Sequence, residues 1–192
     1  MRTVLALRTE EPPRARTSGR SRGFPQSPII RRSLMHKVLF VCIHNSARSQ
    51  MAEAYLNSFG GGEFTAESAG FEPTSINPLV VEVMREEGID LSSKGTQSVF
   101  ELFKTGRVFT HVVTVCDETQ ESRCPIYPGM THRLHLPFPD PGQLTGSHEE
   151  RLEQTRKIRD AIRDAVREFI AWARDDKPLG ETWAIKAPMK RT

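Results

Sequence analysis

Apolar and polar positions change rhythm in blocks along residues 37–173. Val38–Cys42, VLFVC, is an unbroken apolar run, the pattern of a strand buried on both faces. Residues 48–59, RSQMAEAYLNSF, place Met51, Ala54, Tyr55 and Phe59 at helical spacing, and the glycines at 60–62 end the helix. FTAESAG at 64–70 predicts a second short strand. NPLVVEVMREEG predicts a helix with Asn77 as N-cap, Pro78 at its first position and Gly88 past its end. Residues 96–104 predict a short helix, HVVTVC at 111–116 a third strand, and RLHLPF at 133–138 a fourth. Residues 148–173 predict one long helix. Its inward stripe is Leu152, Thr155, Ile158, Ile162, Ala165, Val166, Phe169 and Trp172, with charges on the other side.

This order predicts an α/β fold: a flavodoxin-like doubly wound four-stranded parallel sheet with helices on both faces and the first strand central. Such sheets bind ligands beyond the carboxyl ends of their strands, where the strand order reverses. Cys42 and Cys116 each end a predicted strand on that side.

Composition refines the boundaries. The 192 residues are 37% apolar and 27% charged, as expected of one globular domain with polar tails. The formal charge of +3 is unevenly spread: residues 1–34 hold eight Arg against Glu10 and Glu11, and the remainder is mildly acidic. Residues 1–34, rich in Arg, Pro, Ser and Gly without periodicity, read as a disordered basic extension. An organelle transit peptide, or a true start at Met35, are the other readings. Residues 35–174 form the expected domain and 175–192 a frayed tail. No apolar run approaches the roughly 20 residues of a membrane span, and no export signal stands out, so a cytoplasmic monomer is expected, with no membrane or nucleic-acid partner.

Three cysteines, an odd number, argue against a secreted disulfide framework. Cys116 and Cys124 lie eight apart with no supporting His pair, so no metal site is expected. His36, His111, His132, His135 and His148 read as surface or satisfied core groups. The chemistry concentrates in CIHNSAR at 42–48. Backbone N–H groups in a turn from strand into helix form an anion-sized cup, and the helix N-terminus adds partial positive charge. A thiol there has its thiolate favoured and becomes a nucleophile. Arg48 supplies a planar fork matched to two oxygens of a tetrahedral oxyanion. The cup is predicted to comprise Ile43, His44, Asn45, Ser46, Ala47, Arg48 and Ser49, with Ser49 donating to Cys42, and His44 in or beside the cup tuning the thiolate.

VLFVCIHNSARSQMAEA, with ESAG at 67–70, resembles the low-molecular-weight protein tyrosine phosphatase superfamily, and within it the thioredoxin-coupled arsenate reductases. The likeness runs from about Lys37 to Trp172 and implies the same flavodoxin-like fold. FPDP at 138–141 looks like the superfamily's acid loop and makes Asp140 the general acid. The resemblance implies a relay in which Cys42 attacks arsenate and Cys116 then attacks Cys42, releasing arsenite. Cys124 next attacks Cys116, and thioredoxin reduces the Cys116–Cys124 pair. Closing that pair requires DETQESRC at 117–124 to bend or unwind, because eight residues of straight helix span about 12 Å.

The alternatives are a tyrosine phosphatase or a redox-sensing oxyanion-binding protein. DPGQLTGSHEER lacks the paired tyrosines typical of the phosphatase branch, and His44 and Ala47 depart from its CxGNxCRS loop. Some relatives of this type hold potassium. Asn45, Glu53 and Ser68 match that site, but Gln97 stands where an Asp is expected, so a bound cation is in doubt and no cofactor is predicted.

Overall fold

Val38, Leu39, Phe40, Val41 and Cys42 are all buried in the computed structural model, which describes residues 35–116 and 132–175. The expected basic extension, the tail beyond Asp175, and the 117–124 segment with Cys124 lie outside the described residues. Both faces of β1 (His36–Cys42) meet protein. Val38, Phe40 and Cys42 join the larger core, and Leu39 and Val41 a smaller one across the sheet. An unbroken apolar run needs that double burial.

The other elements are α1 (Arg48–Phe59), β2 (Phe64–Gly70), α2 (Pro78–Glu86), α3 (Val99–Lys104), β3 (His111–Thr114), β4 (His132–His135) and α4 (His148–Arg174), with a 3-10 turn at Pro141–Gln143. The strands are all parallel in the order β2-β1-β3-β4, with β1 inside the sheet. The fold is flavodoxin-like. Residues of α1, α2 and α4 fill the larger core, and α3 covers the other face through Val99 and Leu102. The order reverses at β1, which places the crevice at the carboxyl ends of β1 and β3.

Helix ends follow the capping residues. Asn77 accepts from Leu79 N at 2.9 Å to start α2, and Ser147 with Glu150 forms a reciprocal capping box at α4. Edge strand β2 is protected by side chains and a loop rather than a fifth strand. Asn57 bonds both the N–H and the carbonyl of Ala66, while Gln97 bonds Ser68 O and Gly70 N.

Three expectations shift. β3 ends at Thr114, so Cys116 sits just past the strand; its neighbour Val115 still donates to Val41 O at 2.9 Å. β4 spans His132–His135 rather than 133–138, because Pro137 has no N–H for the ladder and restricts the residue before it. Arg159, expected on the charged face of α4, is buried: its Nη1 donates at 2.8 Å to both Val83 O and Glu86 Oε2 on α2. No described helix is long and apolar enough to cross a membrane.

The opposite end of the sheet carries a stack of imidazoles. Register sets His111 of β3 against His132 of β4, with ring centroids 4.8 Å apart and nearly parallel, and His36 of β1 lies 5.5 Å away. Burial, and then the neighbouring imidazoles, push the His111 pKa down to about 3. The folded chain therefore keeps His111 neutral where the unfolded chain, titrating near 6.5, takes a proton. Stability is expected to fall as pH drops from about 6.5 toward about 3, at up to about 1.4 kcal/mol per unit for this group. Urea midpoints at about pH 7.5 and about pH 5 check this, with His111→Phe expected to flatten the difference.

Candidate active site

The loop between β1 and α1 is shaped by where its carbonyls go. Cys42 O accepts from Phe71 N at 3.3 Å, Ile43 O from Glu72 N at 2.9 Å, His44 O from Thr74 N at 3.0 Å and Ser46 O from Asn77 N at 2.9 Å. The carbonyl and the following N–H of a trans peptide point opposite ways. Turning these carbonyls onto the 71–77 segment therefore aims the N–H groups of Ile43, His44, Asn45 and Ala47 to the concave side. Asn45 closes the bend at φ 51°, a left-handed conformation that Asn tolerates better than most residues. α1 has no side-chain cap and no acidic residue in its first turn, so its N-terminus presents bare N–H groups to the same hollow.

Gly70, at the end of β2, lets the loop lie this close. A Cβ there would fall 2.6 Å from Ile43 O and 2.7 Å from Asn45 N. The glycine of ESAG is thus a packing requirement of the loop.

Cys42 is buried at the mouth of this cup. Its Sγ lies 2.9 Å from Ser49 Oγ and receives Asn45 N–H at 3.1 Å. Arg48, 4% exposed, donates from Nη1 to Phe138 O at 3.1 Å and from Nη2 to Asp140 Oδ2 at 3.0 Å. Its Nε is buried without a hydrogen-bond partner among the described residues. Asp140 accepts from Gly142 N at 3.0 Å through Oδ1, which fixes its carboxyl group at the cup's edge. Thiol, guanidinium, loop amides and carboxyl group thus stand together at the turn from β1 into α1. Together they can bind a tetrahedral oxyanion, attack its central atom and protonate a departing oxygen.

Cys116 is also buried, and its Sγ lies 3.9 Å from Val41 O, the residue before Cys42. No disulfide joins the two.

Beneath the cup runs a chain of polar side chains. Asn45 Nδ2 donates to Ser49 Oγ at 3.0 Å and to Ser68 Oγ at 2.8 Å. Ser68 donates to Glu53 Oε2 at 2.6 Å, and Lys94 Nζ lies 2.6 Å from Glu53 Oε1. Asn45 Oδ1 accepts from Gln50 Nε2 at 3.2 Å and Gln97 N at 2.9 Å. Potassium binds through oxygen acceptors. Asn45 Oδ1 already accepts two hydrogen bonds, and Glu53 pairs with the Lys94 ammonium at one oxygen and accepts from Ser68 at the other. Among the described residues no group of three or more His, Cys, Asp or Glu is placed to hold a metal.

The structure brings Cys42, Asn45, Arg48, Ser49 and Asp140 together and sets Cys116 beside the end of β1. The His44 ring turns away from the hollow toward Glu72 O, 3.2 Å from Nδ1, because the 71–74 segment draws the loop's outer side. Cys124 lies outside the described residues. Gln50, fully buried, and Lys94 were not singled out from sequence. A glutamine on the inward face of α1 was the available signal for the first; none pointed to Lys94.

Residues 37–179 match the family described as low molecular weight phosphotyrosine protein phosphatase. The chain is 34% identical over 133 residues to the arsenate reductase of Bacillus subtilis (strain 168), covering 69% of this chain and 93% of that protein. Its fold is similar to the thioredoxin-dependent arsenate reductase of Corynebacterium glutamicum, at TM-score 0.54 and 29% identity, covering 76% of this chain and 65% of that one. It is also similar to an arsenate reductase solved in its phosphate binding state, at TM-score 0.54 and 26% identity, covering 72% and 98%.

Proposed function

We propose that this chain, which belongs to the low molecular weight phosphotyrosine protein phosphatase family, is an enzyme that reduces arsenate to arsenite. The observation that carries the reading is the second buried thiol, Cys116, beside the strand that ends in the nucleophile. Hydrolysis of a phosphate ester requires only Cys42, Arg48 and Asp140; a two-electron reduction requires thiols.

In this reading arsenate enters the cup, its oxygens take the loop amides and Arg48 Nε–H, and Arg48 gives up part of its hold on Asp140. The Cys42 thiolate attacks arsenic, and an oxygen leaves as water with the proton from Asp140. The Cys116 thiolate then attacks Cys42 Sγ. The S–S bond forms, the S–As bond breaks with its electron pair on arsenic, and arsenite departs. The two sulfurs are oxidised and arsenic is reduced by two electrons. Two observations support this step: Cys116 Sγ lies 3.9 Å from Val41 O, and Cys42 and Cys116 are buried in the same core.

Cys124 completes the relay by attacking Cys116 and freeing Cys42, and thioredoxin returns the Cys116–Cys124 pair to dithiol. The thioredoxin-dependent relative supports that choice of reductant. A relay of this kind works in a reducing compartment, in keeping with a cytoplasmic enzyme. The test supplies the chain with arsenate, thioredoxin, thioredoxin reductase and NADPH. One NADPH oxidised per arsenite formed, dependent on thioredoxin, is the expected result. Hydrolysis of an aryl phosphate without arsenite formation would establish the phosphatase instead.

A further inference from the structure

Glu53 carries a carboxylate into the floor of the cup, where its side chain is only 13% exposed. A carboxylate so placed needs a counter-charge. Lys94, from the loop between α2 and α3, supplies it at 2.6 Å, with its own side chain 31% exposed. We propose that Lys94 is a positioning residue that serves as the site's built-in monovalent cation. It fixes the polarity of the hydrogen-bond chain from Glu53 to Cys42 Sγ, and the cup then binds its oxyanion without potassium.

Each donor in the chain has one place to go. An ionised carboxylate only accepts, so Ser68 commits its single hydroxyl proton to Glu53 Oε2. Ser68 Oγ is left as an acceptor, which demands the NH₂ group of Asn45 rather than its oxygen. The second N–H of that amide then faces Ser49 Oγ. Ser49 accepts from Asn45 and directs its own proton at Cys42 Sγ. Asn45 Oδ1, turned the other way, is held by Gln50 Nε2 and Gln97 N, and Gln50 also ties α1 to the Lys94 loop by donating to Gly95 O at 3.1 Å.

Without the ammonium, Glu53 is an uncompensated carboxylate that must recruit a cation or swing to solvent. A swing to solvent releases the Ser68 proton, and the Asn45 amide loses the contact that orients it; a recruited cation prevents this. Asn45 is the residue at positive φ, so a disordered amide loosens the bend of the whole cup.

The inference rests on Cys42–Ser49 being an oxyanion cup but not on arsenate being its substrate. The test therefore uses inorganic phosphate as the probe, titrated calorimetrically into the full chain in tetramethylammonium chloride and again in potassium or ammonium chloride. Wild-type protein is expected to bind phosphate equally in all three salts. Lys94→Ala is expected to bind about tenfold more weakly in tetramethylammonium and to recover in potassium or ammonium. Lys94→Gln, with fold checked by circular dichroism, is expected to repeat that pattern should the alanine variant not fold. Three results overturn the inference: wild-type binding that strengthens with potassium, variant binding equal to wild type in tetramethylammonium, or a loss that no small cation restores. Absence of phosphate binding by the wild type in every salt overturns the cup and this inference together. The expected cation pattern without any arsenate reduction would sink the proposed reaction and leave this inference standing.

Discussion

Turnover of arsenate with thioredoxin is expected to fall below detection, by at least about 10³-fold, in Cys116→Ser, while inorganic phosphate still binds with the wild-type constant. The serine hydroxyl is close in size to the thiol it replaces. Cys116 is 1% exposed, so the exchange places a hydroxyl in an apolar setting at a cost of about 1–3 kcal/mol. That cost lowers the urea midpoint without emptying the folded state. The cup itself is untouched, because its amides are held by the 71–77 segment and by Asn77 rather than by Cys116. A serine cannot attack a sulfur to form a disulfide, so the arsenic adduct on Cys42 has no reducing partner. Arsenite quantitation and phosphate calorimetry on the same preparation separate the lost electron transfer from a damaged site.

Arg48→Lys is expected to cost about 10²–10³-fold in kcat/KM, or roughly 3–4 kcal/mol. Arg48 does three things with one rigid fork. Nη1 anchors Phe138 O, Nη2 holds Asp140, and Nε waits in the cup. A lysine ammonium is a point charge that can satisfy one of those demands at a time. With the anchor on Phe138 O gone, the segment that carries Asp140 loses a tie to α1. The loss is expected in both KM and kcat, since anion binding and acid placement fail together. Steady-state kinetics with phosphate as competitive inhibitor reads both, and a change confined to KM would show that Arg48 only binds.

The turn from Cys42 to Arg48 was legible because its signal is local. An unbroken apolar strand, a short polar turn and a helix lie consecutively in VLFVCIHNSARSQMAEAY, and C-x5-R spans the turn. The helices were legible through their caps: Asn77 with Pro78, and Ser147 with Glu150, act within three residues of themselves. What stayed hidden depends on contacts between distant elements. The stack of His36, His111 and His132 is created by strand register, and nothing in their sequence spacing shows it. Arg159 reads as one more charge on a charged helix until α2 offers it a carbonyl and a carboxylate. Lys94 reads as a loop lysine until Glu53 is placed beside it. Position alone puts His44 in the cup: its N–H faces the concave side, while the bonds drawn by the 71–74 segment turn its ring toward Glu72 O. Strand ends were misjudged for a related reason. Apolar residues continue past Thr114 and His135, but the ladder stops where partner and proline stop it.

The central claim is that Cys116 delivers its electron pair to the sulfur of Cys42. It is met most directly by trapping the step before Cys124 can act. Fully reduced Cys124→Ser protein is mixed with one equivalent of arsenate, alkylated at once, digested and mapped by mass. A Cys42–Cys116 disulfide with one arsenite released per chain is the expected result. Both cysteines recovered as alkylated thiols, with arsenate unchanged, would contradict it.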